Sequence, residues 1–316
     1  MRILALADIH NSETSRERVV RLADASRDAA PDVLILAGDL ANMGVSFFTR
    51  TLRRFQDIAP VSLAVAGNHD LWTPAGRRSV FCYRHTLPAV CARHGFHLLD
   101  AAPHAVGDVG FVGCLGWYDY SLRQMEEPIP GVRLSPARPM RQSQFSRLAA
   151  LPGREDLAWS DLRHDDFRGK ALLWREESAV RSLTWNDAIF LNWDAEDEAV
   201  VAEQVAHLRA SAATLTDARH LIAVTHTVPF LEAFAEPYRR VEWAFCRAYM
   251  GSAALGEALL DDPRLRLWIT GHVHHQVAHP CRGIPTVNVA VAPEQRGATP
   301  TLIDLSPDGV PTITRL

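Results

Sequence analysis

Five short polar blocks, each directly behind an apolar run, constrain this chain more than any other feature. The blocks are Asp8-Ile9-His10, Gly38-Asp39, Gly67-Asn68-His69-Asp70, Thr225-His226 and Gly271-His272-Val273-His274. The runs ahead of them occupy residues 3–7, 33–37, 61–66, 221–224 and 265–270. Unbroken apolar runs of this length read as strands of a parallel sheet covered on both faces. Their polar followers then fall at the strands' carboxyl ends, where open α/β sheets place their sites. Because the blocks come from both ends of the chain, a site built from them cannot be divided between independently folding halves. That favours one domain over residues 1–316.

The blocks hold aspartate, asparagine and histidine and no cysteine, a hard-to-borderline donor set suited to Mn, Fe, Zn or Ni rather than to a structural zinc site. Taken singly, a histidine or aspartate after a strand is most often a loop cap or a solvated turn residue. The combination is far more specific. In the order D-x-H, G-D, G-N-H-[DE], H and G-H-x-H the blocks resemble the calcineurin-like binuclear metallophosphoesterases, and most of all that family's small phosphodiesterases. The resemblance covers about residues 1–115 and 195–316.

That resemblance implies a role for each position. Asp8, His10 and His274 would hold one metal ion and Asn68, His226 and His272 a second, with Asp39 bridging them. Two ions are implied, with Mn and Fe favoured. His69 would face the substrate, protonating the leaving oxygen or stabilising phosphoryl charge, and Asp70 would orient its ring. The nucleophile would be a hydroxide held between the metals, attacking in line at phosphorus. The other histidines read as surface or packing residues, and of them only His275 adjoins a block and is carried forward as a substrate contact.

With 47% hydrophobic residues among 316, the chain can bury a large core. A formal charge of −4 gives no general attraction to polynucleotides or anionic membranes, so a nucleic-acid polymer is not an expected partner. Cys82, Cys91, Cys114, Cys246 and Cys281 have no C-x-x-C spacing, and their odd number argues against a disulfide framework. The apolar run after Met1 is too short for a signal peptide and leads straight into the first block. No stretch is long and apolar enough to span a bilayer. A cytoplasmic protein is the expectation.

Periodicity predicts strand, helix (16–29), strand, helix (47–57), strand through the first three blocks. A helix over 81–94 follows, and then short strands at 96–99 and 109–115 that begin a second sheet. Further on come a helix over 195–213, another over 241–260, and terminal strands near 276–278, 285–291, 301–305 and 312–314. The fold class is α/β: a four-layer αββα sandwich of two mixed sheets with flanking helices, as the resemblance also implies.

Residues 117–194 interrupt this pattern with an aromatic-rich, proline-rich insertion carrying five of the eight tryptophans. Aromatics supply a small core for such an excursion. The alternative is a cap, with Trp117, Tyr118 and Tyr120 nearest the mouth as substrate contacts, and with Arg123, Arg133, Arg138, Arg141 or Arg147 reaching a phosphate. After Gly38-Asp39 the chain continues Leu40-Ala41-Asn42, without the arginine that the family's protein phosphatases carry there, and Asn42 is a candidate substrate contact. The expected activity is therefore hydrolysis of a small, possibly nucleotide-like phosphodiester. The alternatives are a phosphomonoesterase or nuclease of the same family and, last, a non-catalytic binding protein.

Overall fold

The apolar runs form strands whose side chains are covered on both faces. The structure, a computed structural model, describes residues 1–140, 148–176, 179–233, 239–295 and 297–316. Strands β1 (Arg2–Leu6), β2 (Val33–Ala37), β3 (Val61–Val65) and β4 (Phe96–Leu98) lie parallel and in sequence order. Helices Arg16–Asp28 and Val45–Phe55 cross over between the first three. Strand β4 was expected to open a second sheet. Instead it pairs in parallel with β3, Ser62 beside Phe96, the chain between them returning through helix Leu87–Arg93, the helical crossover that a parallel pair needs.

The second sheet opens with β5 (His104–Val106) and β6 (Val109–Cys114), antiparallel to each other. Within the insertion, β7 (Arg133–Pro139), β8 (Leu148–Ala150), β9 (Ala171–Glu176) and β10 (Ala179–Thr184) make a separate antiparallel sheet in the order β10-β9-β7-β8. The chain then returns through helix Asp197–Thr214 to β11 (His220–Thr225) and β12 (Leu265–Thr270), both parallel to β6. After β13 (Val277–Cys281), β14 (Ile284–Asn288) adds in parallel beside β12, and β15 (Thr301–Leu305) and β16 (Pro311–Arg315) cross back to the first sheet. Among the described residues the two large sheets thus have six strands each, β16-β15-β1-β2-β3-β4 and β13-β14-β12-β11-β6-β5.

Alternation along each strand divides the core into layers. Ile3, Ala5, Val33, Ile35, Leu63 and Val65 of the first sheet meet Phe111, Ile222, Val224, Leu267 and Ile269 of the second. On the first sheet's outer face Leu4, Leu6, Leu34 and Leu36 pack on Val19, Leu22, Phe48 and Leu52 of the crossover helices. On the second's, Val112, Ala223 and Trp268 meet Leu208, Ala212 and Leu255. This is the expected αββα sandwich. The insertion does not stand apart: Trp117, Tyr118, Tyr120, Trp159, Phe167 and Trp174 are buried in the same cluster as Leu71, Trp72 and Phe245.

Two predicted helices are broken. The 81–94 segment passes through a π-helical turn at Cys82–Thr86, just ahead of Pro88, which has no N–H for the helical ladder. The 241–260 segment splits into Val241–Cys246 and Ala253–Glu257, because Gly251 pairs with Val228 between them. All five cysteines are buried and unpaired. Among the described residues no helix is long and apolar enough to cross a membrane.

Candidate metal centre

Five of the residues following the strand ends adopt backbone angles that side-chain-bearing residues rarely take: φ is 56° at Asp8, 44° at His10, 53° at Asp39, 69° at His272 and 52° at His274. Such a conformation costs on the order of 1–3 kcal/mol per residue and persists where the fold over-determines the aim of a side chain. Here it turns each side chain out of the strand's alternation and toward the gap between the two sheets. Gly67 serves the same end by having no side chain, since a Cβ there would lie 2.1 Å from the Asp39 amide nitrogen and 2.2 Å from its Oδ1.

The blocks converge. His10 Nε2 lies 2.9 Å from His274 Nε2 and 3.6 Å from Asp39 Oδ2, and His274 Nε2 is 3.3 Å from Asp8 Oδ1. On the other side of Asp39, His226 Nε2 is 3.4 Å from the same Oδ2, 3.2 Å from Asn68 Oδ1 and 3.2 Å from His272 Nδ1. Two groups able to hold a metal ion result, Asp8/His10/Asp39/His274 and Asp39/His226/His272, and Asp39 belongs to both.

Each inner histidine is oriented by its outer nitrogen. A carbonyl oxygen can only accept, so His226 donates through Nδ1 to Ala37 (3.0 Å) and His272 through Nε2 to Tyr249 (3.1 Å). Their remaining nitrogens face the cluster with a lone pair when the ring is neutral. His274 Nδ1 pairs with the Glu294 carboxylate. Asp39 Oδ2, at the centre and buried, has no hydrogen-bond partner among the described residues, a costly condition for a carboxylate oxygen unless a cation meets it.

The charges point the same way. Burial alone would push the Asp39 carboxyl up, but His226, His69 and His10 outweigh it and hold the group well below its ordinary range. Burial presses His10 down to about 3, and burial with neighbouring His226 presses His272 down to about 4. Against the same burial, Asp39 and Asp8 raise His226 to about 9, while Asp8 and Glu294 raise His274 to about 10. The two buried aspartates thus favour positive charge within the cluster, as a cation there would supply.

His69 sits at the rim, its side chain 19% exposed and its Nε2 3.9 Å from Asp39 Oδ2. Its Nδ1 donates to the Asn42 carbonyl at 3.0 Å, and its ring stacks on Trp72 with centroids 3.5 Å apart. Asp70, expected to orient that ring, is turned the other way: its carboxylate accepts the Ala41 and Gly67 backbone N–H groups, each at 2.9 Å. The backbone needs those acceptors to hold the block's turn, so the orienting partner is a main-chain carbonyl.

Asn42 and His275 are exposed next to the blocks. Trp117, Tyr118 and Tyr120, expected at the mouth, are fully buried. Their polar tips are engaged inward, Trp117 and Tyr120 on Asp197 and Tyr118 on Asp187, because the insertion's own core claims the aromatics that follow β6. Arg123 donates to the Tyr120 carbonyl, and Arg133 and Arg138 are exposed on β7. Arg141 and Arg147 lie outside the described residues.

Two acidic residues at the site carry no motif in the sequence. Glu294 meets His274, and Asp187, 1% exposed, accepts from Asn68. Neither belongs to a block. The only signal for Asp187 was its place beside Trp185 at the insertion's closing edge.

The sequence model of a family described as calcineurin-like phosphoesterase matches residues 1–276. The fold is similar to that of phosphopantetheinyl hydrolase from Mycobacterium tuberculosis, with a TM-score of 0.64 and 16% identity over 98% of each chain. It is also similar to a dimetal phosphatase from Danio rerio, with a TM-score of 0.54 and 12% identity over 100% of this chain and 98% of the other. No curated protein matches the chain.

Proposed function

The chain belongs to the calcineurin-like phosphoesterase family, and on that premise we propose that it is a two-metal phosphohydrolase cleaving a small phosphodiester. The observation that carries this is the buried, unpartnered Oδ2 of Asp39 between two donor groups. Asp8, His10 and His274 would hold one ion, Asn68, His226 and His272 the other, and Asp39 both. Mn and Fe suit these donors. Cations held there would stabilise charge on the phosphoryl oxygens and make water nucleophilic at neutral pH. The chain acts as one domain with the 117–194 segment inserted into it.

The protein's own groups do the rest. With Nδ1–H donated to Asn42, His69 keeps Nε2 free to carry a proton to the leaving oxygen, and the Trp72 face limits the ring's rotation. Asn42 and His275, exposed next to the blocks, contact the substrate. The preference for a diester rests on the run Leu40-Ala41-Asn42 after Asp39, which supplies no arginine for a terminal phosphate. A panel of bis-p-nitrophenyl phosphate, p-nitrophenyl phosphate, a phosphopantetheinyl ester and single-stranded DNA, assayed with Mn(II), tests it. Diesters should turn over fastest; faster release from the monoester would refute the diester assignment, and no turnover of any ester would refute the phosphohydrolase.

A further inference from the structure

The side-chain amide of Asn68 has two ends of nearly equal size, and only the oxygen can bind a cation. Its Oδ1 faces the cluster, 3.2 Å from His226 Nε2. Its Nδ2 donates to Asp187 Oδ1 at 2.9 Å, across 119 residues of sequence. An ionised carboxylate accepts and never donates, so a flipped amide would set two oxygens against each other.

Asp187 is itself immobilised. Oδ1 also receives the Trp72 indole N–H at 2.6 Å, and Oδ2 receives the Trp185 indole N–H at 2.7 Å and the Tyr118 hydroxyl at 3.1 Å. Four donors match the acceptor sites of two carboxylate oxygens. None of the four donors carries a charge. Two of the donors reach further: Trp72 stacks on His69, and Trp185 packs edge-on against His272 with ring centroids 5.8 Å apart.

We propose that Asp187 is a positioning residue, supplied by the insertion, that fixes which end of Asn68 faces the cations. The inference rests on the proposed role of Asn68 as a metal ligand. Loss of such an outer partner costs on the order of 10–100-fold in metal affinity, and here the loss falls on one site of two.

Calorimetric titration of the apo protein with Mn(II) tests this in wild type, Asp187→Asn, Asn68→Ala and the double variant. Asp187→Asn should weaken one ion by about 10–100-fold and leave the other unchanged. It should add little to Asn68→Ala, because the two residues act on the same bond. In the EPR spectrum, the signal of a coupled Mn(II) pair should give way to that of a single ion at stoichiometric metal and return at excess metal. Two unchanged sites in Asp187→Asn alongside a lost site in Asn68→Ala overturn the inference and leave the metal assignment standing. Equal weakening of both ions with a lower apo melting temperature makes Asp187 merely structural and also overturns it. Two unchanged sites in Asn68→Ala overturn the ligand assignment and the inference with it. Should Asp187→Asn fail to fold, a crystal structure of the Mn(II)-loaded wild type decides: Asn68 Nδ2 on Asp187 with Oδ1 on the metal sustains the inference, and an amide turned away from Asp187 overturns it.

Discussion

At the scale of single residues, Asp39 and His69 touch the same oxygen environment and should nevertheless fail differently. Asp39 belongs to both donor groups, so Asp39→Ala should lose most bound metal and nearly all turnover. His69 faces the cluster from the rim at 3.9 Å with its other nitrogen occupied, so His69→Ala should keep both ions and lose about two to four orders of magnitude in kcat. Metal analysis beside turnover separates them, and loss of metal in His69→Ala would make that residue a ligand. Gly67→Ala forces a methyl against the Asp39 backbone and carboxylate, with a cost of roughly 1–3 kcal/mol. Its unfolding midpoint in urea should fall and its Mn(II) affinity with it; wild-type values for both would mean the close approach is not maintained in solution. The raised His226 and His274 add a pH dependence. Both rings are shifted toward the protonated form by Asp39, Asp8 and Glu294, and a proton on a ligand nitrogen competes with the metal. Affinity should weaken as pH falls, and calorimetry in buffers of differing ionisation enthalpy should register net proton release on metal binding; no net release would contradict the upward shift of the two rings.

Among the elements, the strands were the most legible part of the sequence and the insertion the least. Apolar runs before the five blocks became β1, β2, β3, β11 and β12 because a strand covered on both faces must be apolar throughout. The edge strands carry no such signature, and β4 pairs in the first sheet rather than the second. In the insertion, the aromatics that suggested a substrate-facing cap turned out to be a core organised around two buried carboxylates. Asp197, 8% exposed, accepts the Trp117 indole at 2.7 Å, the Tyr120 hydroxyl and the Lys170 ammonium at 2.9 Å. Nothing in the local sequence distinguishes that aspartate from its acidic neighbours Glu196 and Glu198. Asp197→Ala would leave a half-buried ammonium and two neutral donors without their acceptor, at a cost of about 1–3 kcal/mol. Adding Lys170→Met should recover part of that loss, since the unpaired charge is then gone. Urea unfolding of the single and double variants measures both, and a single-variant loss below about 1 kcal/mol, the range of a surface pair, would show the network to be solvated.

For the whole molecule, the candidate site acts as a fastener. Its donors run from Asp8 to His274 in sequence, and the two sheets that carry them join at their carboxyl ends, where Ala7 exchanges backbone hydrogen bonds with Val289 and Val291 at 3.0 and 2.9 Å. In the metal-free protein Asp8 and Asp39 are buried among imidazoles with no cation to balance them both. An ion that binds only the assembled arrangement therefore stabilises the entire fold rather than one loop. A ligand present at a thousand times its Kd contributes about 4 kcal/mol by mass action, enough to move the melting temperature of a chain this size by on the order of 10 °C. Chelation should therefore lower Tm, and Mn(II) added back should raise it in proportion to the logarithm of its concentration. Asp39→Ala, lacking the shared donor, should respond weakly or not at all. Calorimetric scans across a Mn(II) series supply the measurement. A melting temperature indifferent to chelator in the wild type, or equally responsive in Asp39→Ala, would mean that the seven donors do not grip a pair of ions as one unit.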